Sequence, residues 1–198
     1  MDTLLLQTLN TIQRDMTDHY RDRHHNYHTA VFANCTASTP KLRTVVIRHI
    51  DFDTNQIQFH TDIRSPKCSE IQSSNLAALL FYDTHEKIQL RLSVAASIEH
   101  QNAITQNRWQ QMSRQSKRCY LSQYPPGHTL SEPMTHLPSQ SESSSPTDQM
   151  GEHGYQHFAI ITCHIKTIDY LQLNSNGHQR ALFTWNIDKQ VEGKWIAP

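Results

Sequence analysis

Residues 43–67 read Arg43-Thr44-Val45-Val46-Ile47-Arg48, an acidic-polar turn from Asp51 to Asn55, Ile57-Gln58-Phe59-His60-Thr61-Asp62, and then Ile63-Arg64-Ser65-Pro66-Lys67. Two β-branched runs around a short polar turn predict an antiparallel hairpin. The hairpin sets Arg43, Arg48, Arg64 and Lys67 on or just beyond neighbouring strands, with hydroxyls from Thr61 and Ser65. Cations and hydroxyls gathered at strand ends suit a phosphate monoester, whose oxygens accept charge-assisted hydrogen bonds. Taken one at a time, each cation also reads as a solvated charge flanking a strand. It is the ordered set that points to phosphate.

Outward from the hairpin, apolar residues at Leu5, Leu9, Ile12 and Met16 mark a helical stripe over residues 3–17, with Asp2 or Thr3 as cap. Asp18 to His28 reads as a connector and Thr29-Ala30-Val31-Phe32-Ala33 as a strand. Ser65 is placed to cap a helix from Pro66 to about Ser73, and phosphate at its start would meet free backbone N–H groups. Leu76 to Tyr82 reads as a buried strand. The period-two run from Ile88 to Glu99 puts Gln89 and Arg91 on the face opposite Leu90 and Leu92. Residues 101–118 suggest one or two short helices, with Trp109 and Met112 on one face. From Tyr124 to Gly154, prolines, serines and glycines predict a long mobile loop. Strands return at Phe158–Ile165, Ile168–Leu173 and Ala181–Trp185, with a last one near Lys194-Trp195-Ile196. The expectation is a single α+β domain over 1–198, predominantly β and barrel-like.

Lys plus Arg and Asp plus Glu are each 18 in a chain of 198 residues, so the formal net charge is zero. This balance gives no support for nucleic-acid or membrane-surface binding. Cys35, Cys68, Cys119 and Cys163 have no C-x-x-C spacing, which fits reduced thiols in a cytoplasmic protein. Met1 to Leu6 lacks a basic leader and no stretch reaches transmembrane length. Fourteen histidines invite a metal reading. His24, His25 and His28 lack the cysteine or carboxylate spacing for it, so no metal is expected.

The ordered series resembles the pyridoxamine 5'-phosphate oxidase-like family of FMN-binding proteins. The matching residues are Arg43 to Arg48, His60-Thr61, Arg64-Ser65-Pro66-Lys67, Gln89 in Lys87-Ile88-Gln89-Leu90-Arg91-Leu92, Gln115-Ser116 after Trp109, and His178-Gln179-Arg180. The resemblance implies an antiparallel split β-barrel with flanking short helices, a homodimer, and FMN at the subunit interface. It implies cofactor contacts from Arg43, Val45, Val46, Arg48, His60, Thr61, Arg64, Ser65, Lys67, Gln89, Gln115, Ser116 and Arg180, some of them from the second subunit. His178 is implied as a substrate contact.

This chain departs from the family where Pro66 stands for a basic residue and where Asn176-Gly177 stands for an Arg that helps hold the substrate phosphate. An aromatic that packs near the flavin is also replaced, by Leu171 or its neighbour Tyr170. The cofactor half of the pattern is therefore better represented than the substrate half. The implied activity is hydride transfer between FMN and a small-molecule substrate. The alternatives are an FMN-binding protein without dedicated turnover, or a haem-binding split barrel.

Overall fold

The computed structural model describes residues 1–36, 39–133, 148–186, 188 and 190–198. In chain order, helix α1 is Thr3–His19, and strands β1, β2 and β3 are Thr29–Thr36, Thr39–Asp51 and Gln56–Asp62. Helix α2 is Pro66–Ser73, followed by β4 (Leu76–Asp83) and β5 (Ile88–His100). Helices α3 (Ala103–Gln111), α4 (Arg114–Lys117) and α5 (Asp148–Tyr155) precede β6 (Phe158–Gln172), β7 (Gln179–Trp185) and β8 (Val191–Trp195).

The strands form one antiparallel sheet in the order β3-β2-β1-β4-β5-β6-β7-β8, and an extra β3–β6 pairing closes the first six into a barrel. Closure needs a long strand, and β6 supplies it. Phe158 to His164 pair with β3 across the seam, and Thr167 to Gln172 carry β7 away from it. The two strands expected at 158–165 and 168–173 are therefore one. The break in pattern near Lys166 is an extra residue opposite Ser93 and Val94, a bulge rather than a turn.

Inward-facing residues such as Phe32, Phe59, Phe81, Leu90 and Leu92 fill the barrel, and Phe183 of β7 joins the same core. Helix α1 adds Leu5, Leu9, Ile12 and Met16, the stripe legible in its sequence, and the Asp2 carboxylate caps it by accepting from the Leu5 amide at 2.8 Å. Each such side chain contributes about 1.5–3 kcal/mol on burial. A second apolar cluster lies outside the barrel, where Trp109, Tyr120, Phe158 and Ile160 pack together with Met112 and Tyr155.

Residues 134–147 of the expected 124–154 loop lie outside the described residues. Its last part is helical, as α5. There a Cβ on Gly154 would lie 3.1 Å from Trp109 Cη2, so the chain packs directly on the indole. Tertiary contact overrides the weak helix propensity that composition indicates.

Candidate functional site

Ser65 precedes Pro66 at the start of α2, but its hydroxyl makes no capping bond. Instead it accepts from Lys67 Nζ at 2.6 Å, and Thr61 Oγ1 accepts from the same ammonium at 2.9 Å. Thr61 and Ser65 are buried. Among the described residues Lys67 forms no ion pair. Burial is the main cause that lowers its pKa, and the nearby Arg43 guanidinium acts the same way. A half-buried ammonium whose described partners are hydroxyls gains a counter-charge from an arriving anion.

Arg48 reaches this neighbourhood through a bulge. Ile47 pairs with Phe59 and His49 with Gln58, which leaves Arg48 as the inserted residue of β2. It sits between two adjoining clefts that share Arg48, His60 and Tyr120. The first, about 240 Å³, is lined by Arg43, Thr44, Val45, Val46, Phe59 and Lys67 besides the shared residues. The second, about 420 Å³, adds Arg108, Met112, Gln115, Ser116 and Cys119.

His60 bridges the two, its ring edge-on to Phe158 at 4.9 Å. Burial, with help from Arg48 and Arg108, lowers its pKa to about 3, so the imidazole is neutral at physiological pH. Arg48 and Arg108 make no hydrogen bond or ion pair with any described residue. The cleft thus holds Lys67, Arg48 and Arg108, and no carboxylate among the described residues lines it. That donor set fits a phosphate-bearing cofactor such as FMN.

The structure brings Val45, Val46, Arg48, His60, Thr61, Ser65, Lys67, Gln115 and Ser116 to this region. Val45 does so from the barrel core, where it is buried. Gln115 and Ser116, implied as a partner's contribution, line the cleft of their own chain. Arg43 borders the same cleft with its guanidinium committed, donating to Asn34 Oδ1, to Lys41 O at 3.3 Å and to Glu70 Oε2 at 3.3 Å. Arg64 is turned away. It grips Asp62 through Nε and Nη2, the latter at 2.6 Å, and donates to Ser122 O at 3.0 Å.

Gln89 and Arg180 lie elsewhere on the barrel exterior. Tyr82, Gln89, Leu171 and Arg180 form one cross-strand row through β4, β5, β6 and β7. Gln89 is three strands from β2, roughly 14 Å along the sheet at the usual strand spacing. Arg180 holds Asp169 through Nε at 3.0 Å and Nη2 at 2.8 Å, and Arg91 joins the same carboxylate at 2.5 Å. His178 stands just before β7, and its Nδ1 accepts from the Asn174 amide at 3.1 Å.

Sequence reasoning missed Arg108, Met112, Cys119 and Tyr120. Arg108 and Met112 are four apart across α3 and its C-cap, a spacing that could have flagged them as one face. Cys68 is buried and its thiol is pushed up to about 11, which leaves it inert as a nucleophile. His25 and His28 are spent on local turns with Tyr27 N and Tyr20 O. No group of His, Cys, Asp or Glu among the described residues is arranged to hold a metal ion. No described helix is long and apolar enough to cross a membrane.

Residues 8–100 match the family model for the pyridoxamine 5'-phosphate oxidase, FMN-binding domain. Over 152 residues the chain is 28% identical to the pyridoxine/pyridoxamine 5'-phosphate oxidase 2 of Arabidopsis thaliana, covering 73% of this chain and 72% of that protein. An FMN-binding protein from Nostoc punctiforme, related to pyridoxamine 5'-phosphate oxidase, superposes with a TM-score of 0.73 at 21% identity, covering 100% of each chain. PhzG from Burkholderia lata, solved with tetrahydrophenazine-1-carboxylic acid, superposes with a TM-score of 0.68 at 15% identity, over 97% of this chain and 92% of the other. The fold is the antiparallel split barrel of these proteins.

Proposed function

We propose, from the match of residues 8–100 to the family model for the pyridoxamine 5'-phosphate oxidase, FMN-binding domain, that the protein is an FMN-dependent oxidoreductase acting on a small molecule. The observation that carries this reading is the Lys67 ammonium, held by the Thr61 and Ser65 hydroxyls beside Arg48 and Arg108 in clefts that no acid among the described residues lines. FMN, when bound, supplies a flavin ring that accepts or gives a hydride.

The chain's own residues bind and orient. Lys67, Thr61, Ser65 and Arg48 hold the phosphate, with Arg43 at the cleft border. Val46 and Met112 give the cleft apolar wall, and Gln115 and Ser116 offer hydrogen bonds to a polar ring edge. The neutral His60 adds a ring face without adding positive charge.

A homodimer follows from the same reading. The outer face of β4 exposes Leu76, Leu80 and Tyr82, and it continues into the row of Gln89, Leu171 and Arg180. A second copy against this face would cover the leucines. It would also bring Gln89 and Arg180, remote from Lys67 in their own chain, to a site on its neighbour. Light scattering that found only monomer with FMN bound would refute this arrangement.

One observation favours a second reading, a protein that binds FMN without a dedicated substrate. Asn176-Gly177 stands where the family has a substrate-holding Arg, and His178 Nδ1 is occupied within its own turn. Mixing the FMN-loaded protein anaerobically with reduced nicotinamide, and the air-oxidised form with pyridoxamine phosphate, separates the two. Flavin bleaching with turnover supports the oxidoreductase. A flavin that stays oxidised with both, and with a broader amine and alcohol panel, supports binding alone.

A further inference from the structure

Glu70 presents a problem of sign. It lies one helical turn beyond Lys67 on α2, beside a cleft that is otherwise cationic, and a carboxylate there repels any anion that Lys67 attracts. Its side chain is only 11% exposed, so water screens it poorly. Such a residue in an anion site needs a role that outweighs its repulsion.

The contacts supply one. Glu70 Oε2 accepts from Arg43 Nη2 at 3.3 Å and from Asn34 Nδ2 at 2.9 Å, and Arg43 Nη1 closes the triangle by donating to Asn34 Oδ1. Asn34 is buried at 5% exposure, and the Arg43 guanidinium rests over the Phe32 ring with 5.6 Å to its centroid. The knot thus ties β1, β2 and α2 together at one end of the barrel. On the other flank of Lys67, α2 is fixed by buried Cys68 and Ile71. With both sides held, the rotation of α2 about its axis is set, and that rotation aims Lys67 at Thr61 and Ser65.

We propose that Glu70 is a positioning residue for the phosphate site: it holds the Arg43 guanidinium at the cleft border and fixes the rotation of α2 that presents Lys67. The proposal rests on the FMN reading above. It states that geometry outweighs charge at this position. A misplacement of even one ångström at such a site is costly.

The test is calorimetric titration of wild type, Glu70→Ala and Glu70→Gln with FMN and, separately, with riboflavin, which lacks the phosphate. Thermal melts of each apo protein accompany the titrations. The expected result for Glu70→Ala is FMN affinity weaker by about tenfold, the scale of one charge-assisted bond, with riboflavin affinity unchanged. Glu70→Gln, whose amide oxygen still accepts from Arg43 or Asn34, regains much of the loss although it removes the same charge.

A merely electrostatic neighbour behaves oppositely, since both variants would bind FMN more tightly than wild type. That result, an unchanged FMN affinity, or equal losses for both flavins would overturn the proposal and leave the FMN reading standing. A wild type that does not bind FMN at all overturns that reading itself. Should Glu70→Ala melt below the assay temperature, Asn34→Ala removes one of the carboxylate's two donors, and the same FMN-selective loss is expected.

Discussion

Replacing Lys67 with Met separates a binding residue from a structural strut, because the two roles predict opposite signs in two assays. In the apo protein the ammonium is half-buried, has no acidic partner among the described residues, and titrates low because burial disfavours its charge. A Met of similar length removes that penalty and keeps most of the apolar contact. Against this stands the loss of two hydrogen bonds to hydroxyls, each worth about 0.5–1.5 kcal/mol net, or up to about 3 with a charged donor. Thr61 Oγ1 retains its donation to Asp62 O at 3.4 Å, which limits that loss. The apo variant is therefore expected to be as stable as wild type or more so in urea melts. FMN binding should weaken by about 1.5–3 kcal/mol, the range for a charged hydrogen bond. That is roughly tenfold to more than a hundredfold in Kd by calorimetry. A variant that is clearly destabilised yet binds FMN as wild type does would refute the reasoning and make Lys67 a strut between β3 and α2.

Three further outcomes are expected. FMN affinity should fall with rising pH through the lowered pKa of Lys67, below the range in which an ordinary lysine deprotonates, because the phosphate needs the ammonium; Lys67→Arg should flatten the profile, and the same profile in wild type and Lys67→Arg would count against it. His60 has its folded pKa lowered from 6.5 to about 3, so between these values only the unfolded chain takes up the proton. Stability should hold above that window and drop as pH falls through it, by about 2 kcal/mol at pH 5. His60→Gln should remove that slope in urea melts at pH 7 and 5, and identical slopes would contradict the assignment. Trp109→Ala should destabilise by about 3–5 kcal/mol, since the indole packs on Tyr120, Tyr155 and Phe158. A loss under about 1 kcal/mol, typical of surface changes, would mean that the outer cluster is loosely held.

Local signals carried much of the fold. The hairpin of β2 and β3, the alternation of β5, the stripe of α1 and the proline-led start of α2 are all written within a few residues of one another, and each stands as read. The seam between β3 and β6 joins residues about a hundred positions apart, and no local pattern encodes it. The same holds for the bulge that makes Arg48 an inserted residue, because register is a property of two strands. Within the site, the sequence could show which cations are near in the chain but not which were already committed. Arg64 is taken by Asp62, two residues away, and Arg43 by Glu70, 27 residues away. Arg108 escaped notice because nothing local marks a charge on a short helix as unpaired.

The most direct test of the central claim is titration of the wild-type apo protein with FMN and, in parallel, with riboflavin. Saturable FMN binding is expected, one flavin per chain, with riboflavin weaker by at least about tenfold for want of the phosphate. Equal affinity for the two flavins, or no binding of FMN, would contradict the assignment of Lys67, Thr61, Ser65 and Arg48 as a phosphate cradle.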